Sequence, residues 1–133
     1  MVKKIIIAID GYSSTGKSTL AKMLSRHLSY RHINTGSMYR AVTLFSLRNK
    51  WLDDDFNNIN SLQIINLIDS LQFNFKLDNN NYRLFVNGED VEGLIKDPII
   101  SKYVSVISTY PLLRKKIISI QQDMGKLKGV VME

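Results

Sequence analysis

Two kinds of hydrophobic pattern divide this chain. Continuous apolar runs occur at Ile5–Ile9 and, much later, at Val130–Met132. Such runs are typical of strands that are buried on both faces of a parallel sheet. Between them, apolar and polar residues alternate over 73–77 and again over 82–86, with the turn residues Asp78–Asn81 separating the two stretches. This alternation predicts a β-hairpin with one apolar face, and therefore a small antiparallel sheet that is distinct from the parallel one.

Helical spacing of apolar residues accounts for most of the remaining chain. Pro98 and Pro111 each occupy the favoured first position of a helix, and Tyr110–Pro111 ends the helix that starts at Pro98. Other helices are predicted over 17–28, 38–49 and 61–70. The apolar residues of the first helix are expected to pack on the parallel sheet; they are Leu20, Met23, Leu24 and Leu28. The sequence thus predicts an α/β fold, with a parallel sheet flanked by helices and a small antiparallel sheet inserted.

A glycine-rich segment, Gly11–Ser18, directly follows the first apolar run and reads GYSSTGKS. This is the pattern G-x-x-x-x-G-K-[ST] between a strand and a helix, which is typical of P-loop NTPases. Backbone N–H groups of such a turn converge on an anion, and the N-terminus of the helix adds positive charge. Lys17 is expected to reach the β- and γ-phosphates of ATP, and Ser18 to bind Mg²⁺. The predicted nucleotide-binding residues are Gly11, Ser13, Ser14, Thr15, Gly16, Lys17, Ser18 and Thr19.

Composition limits the possible chemistry. The chain has 133 residues, 44% of them hydrophobic, which suits one domain or a core with a small insert. It has no cysteine, which excludes disulfides, thiolate metal sites and cysteine nucleophiles. His27 and His32 have no partner at metal-ligand spacing. Asp53–Asp55 forms an acidic triplet, for which a solvated loop is the expected structure.

Charge and hydropathy limit the possible partners. The net charge of +6 fits a protein that handles polyanions such as nucleotides. The positive residues are scattered, without a basic stripe interleaved with aromatic residues, so no nucleic-acid partner is expected. The first apolar run is too short for a signal peptide or a membrane span. We therefore expect a cytoplasmic protein with no membrane partner.

Further motifs follow the glycine-rich segment in order along the chain. Residues 34–41 read NTGSMYRA, residues 86–91 read VNGEDV, Tyr110–Arg114 reads YPLLR, and residues 129–133 read GVVME. Together with the glycine-rich segment, these motifs resemble the bacterial cytidylate (CMP) kinase family, a branch of the P-loop nucleoside monophosphate kinases. The resemblance extends over the whole chain. It implies transfer of the γ-phosphoryl group of ATP to CMP or dCMP, with Mg²⁺ as cofactor, giving ADP and CDP or dCDP.

The resemblance also implies roles for individual residues. Arg40 would hold the acceptor phosphate, since a guanidinium fork suits two phosphate oxygens. Thr35 would lie in the monophosphate pocket, and it could also cap the following helix. Ser105 and Arg114 match family positions that read the pyrimidine. Lys17 and Arg40 are thus the expected catalytic residues, because they would contact the reacting phosphates.

Three regions are expected from the same resemblance. Residues 1–59 form the first part of the P-loop core, residues 60–110 the monophosphate-binding insert, and residues 111–133 the return to the core. Asn34 stands where the family usually has Asp. The lid of the family and its G-R-D motif do not occur in the sequence. We therefore expect negligible kinase activity from the 133 residues alone, and an active, monomeric kinase from a full-length parent.

Two other classes of protein remain open. A P-loop ATPase or GTPase module would use Val130–Glu133 as its Walker B strand. The guanine-reading motif N-K-x-D is absent, however, because Asn49–Lys50 is followed by Trp51–Leu52. A non-catalytic nucleotide-binding remnant is the other alternative. Asp10 has two open roles as well: it could orient Lys17 or a magnesium-bound water, or it could form a structural hydrogen bond.

Overall fold

The computed structural model describes residues 3–11, 16–52 and 61–133. Its α-helices are α1 (Lys17–Leu28), α2 (Thr35–Arg48), α3 (Ser61–Leu67), α4 (Pro98–Ile107) and α5 (Pro111–Gly125). Its strands are β1 (Ile6–Ala8), β2 (Arg31–Ile33), β3 (Phe73–Asp78), β4 (Asn81–Val86), β5 (Glu89–Asp90) and β6 (Val130–Met132). Single 3-10 turns cover Ile68–Ser70 and Leu94–Lys96. The helices therefore begin and end close to where the apolar spacing and the two prolines predict.

The parallel sheet has the strand order β1-β6-β2. Strand β6 lies in the middle, with Val130 opposite Ile6 of β1 and also opposite Arg31 of β2. Helix α1 packs against β6 and β2. Helix α5 approaches the sheet so closely that a Cβ added at Gly125 would lie 3.2 Å from Met132 Cε. Because all three strands are parallel, their carboxyl ends lie along one edge, where ligands bind in open α/β sheets.

The alternating segments form the predicted hairpin and a third, short strand. Strands β3 and β4 pair antiparallel along their whole length, and β5 adds to β4. Asn79 and Asn80 form the hairpin turn with left-handed backbone, at φ values of 48° and 67°. Phe75, Leu84 and Val86 bring the apolar side of this sheet into the core. The fold class predicted from the sequence is confirmed: a parallel sheet flanked by helices, with a small antiparallel sheet added.

Helix α2 joins the two sheets through one hydrophobic core. Met38, Ala41 and Val42 are completely buried, and α2 packs against α3, α4 and α5. The same core contains Val130 from the parallel sheet and Leu84 from the antiparallel sheet. Since close packing fixes α2 on several sides, the polar residues near its N-terminus have a defined position between the two sheets.

The environment of the first strand differs from the prediction. Residues 3–9 were expected to be buried on both faces, but Ile5 is 53% exposed, and the strand itself covers only three residues. Among the strands that the structure describes, β1 pairs only with β6, and α1 packs on β6 and β2. The acidic triplet at 53–55 lies outside the described residues.

The packing of helix α1 also differs from the prediction. Its small residues Ala21 and Ser25 are the buried ones, and they let α1 lie close to the sheet. The larger apolar side chains expected in the core are mostly exposed; they are Leu20, Met23 and Leu28, whereas Leu24 is half-buried. Apolar spacing identifies the helix correctly but not the face that contacts the sheet.

Candidate functional site

The carboxyl edge of the parallel sheet gathers the glycine-rich segment, Asn34 and Glu133. Thr35 joins β6 to α2, since its backbone N–H and its hydroxyl both donate to the Glu133 carbonyl oxygen, at 2.9 and 2.7 Å. Thr35 is therefore not the N-cap of α2. That position belongs to Asn34, whose Oδ1 accepts a hydrogen bond from the Ser37 N–H at 3.2 Å. The Thr35 hydroxyl is instead used to hold β6 against the start of the helix.

Helix α1 begins directly after Gly16, and its first turn contains no acidic residue. Gly16 has a φ of 84°, a left-handed conformation that side chains disfavour. Lys17 folds back over the glycine-rich segment, where its Nζ donates to the Gly11 carbonyl oxygen at 3.2 Å. A lysine beside a helix N-terminus favours an anion. Of the other predicted phosphate-binding residues, Thr19 is exposed in the first turn, and Ser13, Ser14 and Thr15 lie outside the described residues.

Asp10 follows β1 and forms a local hydrogen bond. Its Oδ1 accepts from the Gly11 N–H at 2.9 Å. Of the two roles that the sequence left open, this contact supports the structural one, because it fixes the start of the glycine-rich segment.

A cavity of about 520 Å³ lies between α1, the β3–β4 hairpin and the start of α4. Ser18 lines it from the helix α1 side and Arg40 from α2, whereas Lys17, Thr19 and Thr35 are not among its lining residues. Five cationic side chains and two carboxylates line this cavity; they are Lys22, Arg26, Arg40, Arg83 and Lys96, with Glu92 and Glu133. The excess of positive charge suits a ligand with several phosphate groups.

Arg40 is held in place by two contacts from the insert. Its Nη1 donates to the Ile95 carbonyl oxygen at 3.0 Å and to Ser101 Oγ at 3.1 Å. Both bonds use the same nitrogen, which leaves Nη2 and Nε available to a ligand in the cavity that Arg40 lines. An anchored fork of this kind can bind two oxygens of one phosphate.

Glu133 is a candidate functional residue to which the sequence assigned no role in a kinase site. Its side chain is only 2% exposed, and its Oε1 accepts hydrogen bonds from His32 Nε2 and Asn34 Nδ2, both at 3.0 Å. Its Oε2 is the one buried side-chain polar atom in the described part of the chain that has no hydrogen-bond partner. A carboxylate placed directly after a buried strand, at the ligand-binding edge of the sheet, is the signal that could have identified it.

These oxygens fit a hard divalent cation such as Mg²⁺. Mg²⁺ prefers a few protein oxygens together with water and nucleotide phosphates. Ser18 and Glu133 line the same cavity, and Oε2 of Glu133 is free to accept. No group of three or more His, Cys, Asp or Glu residues that could hold a metal occurs among the residues that the structure describes. The arrangement suits a cation that arrives with a nucleotide rather than one enclosed by protein alone.

Ser105 and Arg114 lie outside the cavity lining. Ser105 is exposed on α4, where its hydroxyl donates to the Lys102 carbonyl oxygen at 3.4 Å. Arg114 is exposed in the first turn of α5 and faces Tyr39 of α2. Burial raises the pKa of the Tyr39 hydroxyl above its ordinary value, and the positive charge of Arg114 partly opposes this shift. The structure therefore places Arg114 near α2 but does not bring it together with Arg40 in the cavity.

An ion pair fastens the antiparallel sheet to helix α2. Arg48 binds Glu89 with both arms of its guanidinium group, each at 2.7 Å. The hydrogen bond from Arg48 lowers the pKa of Glu89 below its ordinary value. In the same sheet, the hydrogen bond from Arg83 lowers the pKa of Asp90 in the same way. These pairs set the position of the hairpin that covers one side of the cavity.

Comparison with known proteins gives a consistent result. The family model described as cytidylate kinase matches residues 7–133. The cytidylate kinases of Flavobacterium johnsoniae and Flavobacterium psychrophilum are 43% and 44% identical, over 99% of this chain and 57% and 58% of their own lengths. That of Chloroherpeton thalassium is 42% identical over 100% of this chain and 54% of its own length. The chain thus spans just over half the length of these relatives. No helix in the described ranges is long and apolar enough to cross a membrane.

Proposed function

Since this chain belongs to the cytidylate kinase family, we propose that it provides the phosphate-binding region of an enzyme that transfers the γ-phosphoryl group of ATP to CMP or dCMP. The products are ADP and CDP or dCDP. The observation that carries the proposal is the cavity that Ser18 and Arg40 both line. Phosphoryl transfer needs a donor site and an acceptor site that open into one space, with cations fixed around it.

The donor side is the glycine-rich segment with the N-terminus of α1. Backbone N–H groups after Gly11 and up to Thr19 would surround the β- and γ-phosphates, with Ser13, Ser14, Thr15 and Gly16 among them, while the Gly11 N–H stays bound to Asp10. The Lys17 ammonium now rests on the Gly11 carbonyl oxygen, and a γ-phosphate is a stronger partner for it because it carries full negative charge. Lys17 would therefore replace its hydrogen bond to the Gly11 carbonyl oxygen with a charge-assisted hydrogen bond to the phosphate.

The acceptor side is formed around Arg40 and Thr35. Arg40 would bind the phosphate of CMP, with Ile95 and Ser101 already fixing its guanidinium group. Thr35, whose hydroxyl donates to the Glu133 carbonyl oxygen, would lie beside Arg40 in the monophosphate pocket. Ser105 and Arg114 would contact the pyrimidine. Because these two residues lie outside the cavity lining, this part of the proposal requires the nucleotide base to extend beyond the cavity, along α4 and α5.

Mg²⁺, when bound with ATP, neutralises charge on the β- and γ-phosphates. Ser18 would hold it through its hydroxyl. The buried Glu133 carboxylate would face it through Oε2, the oxygen without a hydrogen-bond partner. The protein part of the site thus supplies two oxygens of suitable type.

The reaction needs no general base. A phosphate oxygen of CMP attacks the γ-phosphorus of ATP, the bond from that phosphorus to the β,γ-bridging oxygen breaks, and ADP leaves. The acceptor phosphate is already largely ionised at neutral pH, since its second pKa is about 6. The main barrier is repulsion between the two anions, and Lys17 and Arg40 would reduce it from fixed positions.

The proposal extends to a monomeric, cytoplasmic protein that binds no nucleic acid. A P-loop ATPase or GTPase module and a non-catalytic nucleotide-binding remnant are the competing functions. Parallel calorimetric titrations with CMP, UMP, AMP and GTP, each in the presence and absence of ATP, separate them. The readout is binding rather than turnover, because the chain spans just over half the length of its relatives. Selective binding of CMP beside ATP supports the proposal, whereas selective binding of GTP points to a switch module and contradicts it.

Substitution of the P-loop lysine gives an independent test. Lys17→Ala is expected to weaken ATP binding about tenfold or more, as expected for loss of a charge-assisted hydrogen bond. Lys115→Ala, which removes an exposed charge on α5 outside the cavity lining, is the matched control. Equal ATP affinities for the two variants would contradict the assigned donor site.

A further inference from the structure

Glu133 is held by two donors that come from one neighbouring strand and the residue after it. Strand β2 lies beside β6, with His32 opposite Val131 and Ile33 opposite Met132. The Glu133 N–H continues this pairing by donating to the Ile33 carbonyl oxygen at 3.0 Å. His32 and Asn34 alternate with Ile33 along β2, so both side chains lie on the same side as the Glu133 carboxylate.

Both donors bind the same carboxylate oxygen. His32 Nε2 and Asn34 Nδ2 each lie 3.0 Å from Oε1 of Glu133. An ionised carboxylate can only accept, so Nε2 is the protonated nitrogen of the His32 ring. Each carboxylate oxygen can accept about two hydrogen bonds. Oε1 is thus fully used, while Oε2 of the same buried group is not used at all.

Both polar atoms of the Asn34 side-chain amide are hydrogen-bonded, and these bonds fix its orientation. Its Oδ1 accepts from the Ser37 N–H at the start of α2, which leaves Nδ2 for Glu133. An aspartate at this position could also cap the helix, but it would place a second carboxylate oxygen beside Oε1 of Glu133. The asparagine therefore serves the helix and the glutamate at once.

Burial of a carboxylate with hydrogen bonds to only one of its two oxygens destabilises the fold unless the other oxygen also has a partner. A buried carboxylate is strongly disfavoured unless its oxygens are compensated. Among the described residues, His32 is the only side chain that forms an ion pair with Glu133. Oε2 belongs to a residue that lines the same cavity as Ser18. A cation or its bound water in that cavity would supply the partner that a buried carboxylate oxygen requires.

From this asymmetry we infer that His32 and Asn34 are positioning residues, which fix the Glu133 carboxylate so that Oε2 faces the divalent cation that accompanies ATP. The inference rests on the proposed function, since it takes the cation to arrive with the nucleotide. Partners of this kind commonly set the orientation of a metal-facing carboxylate, and their loss typically reduces metal affinity by about 10- to 100-fold. Both residues also line the cavity, but the role inferred for them is to orient Glu133.

The alternative is that His32 and Glu133 form a buried structural pair that only joins β2 to β6. The two roles predict different results for one measurable quantity, the ratio of the ATP affinity in Mn²⁺ to the ATP affinity in EDTA. Mn²⁺ is the probe because it replaces Mg²⁺ at oxygen sites and is visible by electron paramagnetic resonance. A purely structural role leaves the ratio unchanged. A positioning role changes the ratio while the EDTA affinity stays the same.

The experiment compares the wild-type chain with three variants. His32→Phe keeps a ring of similar size but removes the donor. His32→Gln keeps a donor amide. Asn34→Ser keeps a good helix N-cap but is too short to reach Glu133. His27→Phe, at an exposed position on α1, is the matched control for the aromatic substitution.

We expect His32→Phe and Asn34→Ser to lower the affinity ratio about tenfold and to broaden the Mn²⁺ signal of the ternary complex. His32→Gln is expected to restore the ratio to within about threefold of wild type. His27→Phe is expected to leave it unchanged. If His32→Phe does not fold, Asn34→Ser and His32→Gln still test the same relationship.

The outcomes separate the inference from the proposed function. If wild type binds ATP but all variants share its ratio, the inference is wrong and the proposed function stands. If His32→Gln lowers the ratio as much as His32→Phe, hydrogen bonding to Glu133 is not the cause, and the inference is again wrong. If wild type does not bind ATP with or without Mn²⁺, the proposed function itself fails, and the inference fails with it.

Discussion

Arg26 of helix α1 and Asn81 of strand β4 are joined by a hydrogen bond of 2.9 Å between Nη2 and Oδ1. The Arg26 Nε adds a second bond, of 3.2 Å, to the Asn80 carbonyl oxygen. These bonds connect the helix that follows the glycine-rich segment with the turn of the β3–β4 hairpin. Both ends line the cavity, so this contact bridges its two walls directly.

Removing this contact should loosen the hairpin turn. Arg26→Ala is expected to speed amide hydrogen exchange at residues 79–82 severalfold, because the turn would lose its only described bonds to α1. Because the bond is exposed, its contribution to the free energy of unfolding should be about 1 kcal/mol or less. Asn81→Ala tests the same bond from the other side. A double-mutant cycle with no coupling between the two positions would contradict a direct interaction.

Arg40→Lys tests whether CMP binding requires the shape of the guanidinium group or only its positive charge. Lysine keeps the charge but cannot form a bidentate pair with a phosphate, so CMP affinity is expected to fall about tenfold. Affinity for cytidine, which has no phosphate, should not change. Both affinities can be measured by calorimetry. Ser101→Ala is the matched control, since it removes one support of the guanidinium group and leaves the fork intact. A similar loss for CMP and cytidine would show that Arg40 does not bind the phosphate.

Gly16→Ala should lower the free energy of unfolding because of backbone strain, and not because the added methyl group clashes with a neighbour. The position has a φ of 84°, and a Cβ there would meet no atom within 4 Å. The expected cost is about 1 kcal/mol of unfolding free energy, together with weaker ATP binding, because the loop must change its conformation. Gly93→Ala is the matched control: this glycine also has open space, but its φ is −72°. Equal unfolding free energies for the two variants would contradict the assigned backbone strain.

Acid should weaken the attachment of the antiparallel sheet. Arg48 lowers the pKa of Glu89 in the folded protein from its ordinary value of 4.5. The stabilisation is therefore fully present above pH 4.5 and is lost as the pH falls through the lower folded-state pKa. Glu89→Gln should flatten the pH dependence of unfolding in this acidic range. The effect is expected to be small and to shrink at high salt, since both side chains are partly exposed.

Denaturant unfolding at several pH values, in low and high salt, measures this effect. A Glu89→Gln variant that keeps the wild-type slope would show that other carboxylates cause the acid sensitivity.

The sequence predicted those features that depend on local pattern. The hairpin follows from strict alternation and from Asn79 and Asn80, which accept left-handed backbone. The starts of α4 and α5 follow from Pro98 and Pro111, since proline fits the first helical position. The glycine-rich segment was recognisable because the strand, the loop and the helix each carry their own signal.

The features that the sequence did not predict depend on contacts between residues that are distant along the chain. The exposure of Ile5 depends on which elements pack against β1, and no residue near β1 determines those neighbours or the strand order. The hydrogen bonds from Thr35 to Glu133 could not be predicted because they join distant parts of the chain, and the helix cap that the sequence allowed for Thr35 is formed by Asn34 instead. The contact between His32 and Glu133 also joins distant parts of the chain, so the sequence could not predict it either. Apolar spacing in α1 likewise could not tell which face would meet the sheet.

The position of β6 between β1 and β2 has a consequence for how the chain folds. Strands β1 and β2 come early, yet each pairs with a strand that leaves the ribosome about one hundred residues or more later. During synthesis, β1 and β2 therefore remain unpaired until β6 has been made, whereas the hairpin and the helices after it can form earlier. Within these 133 residues, the pairing of β6 with β1 and β2, rather than formation of the hairpin, should therefore limit the folding rate.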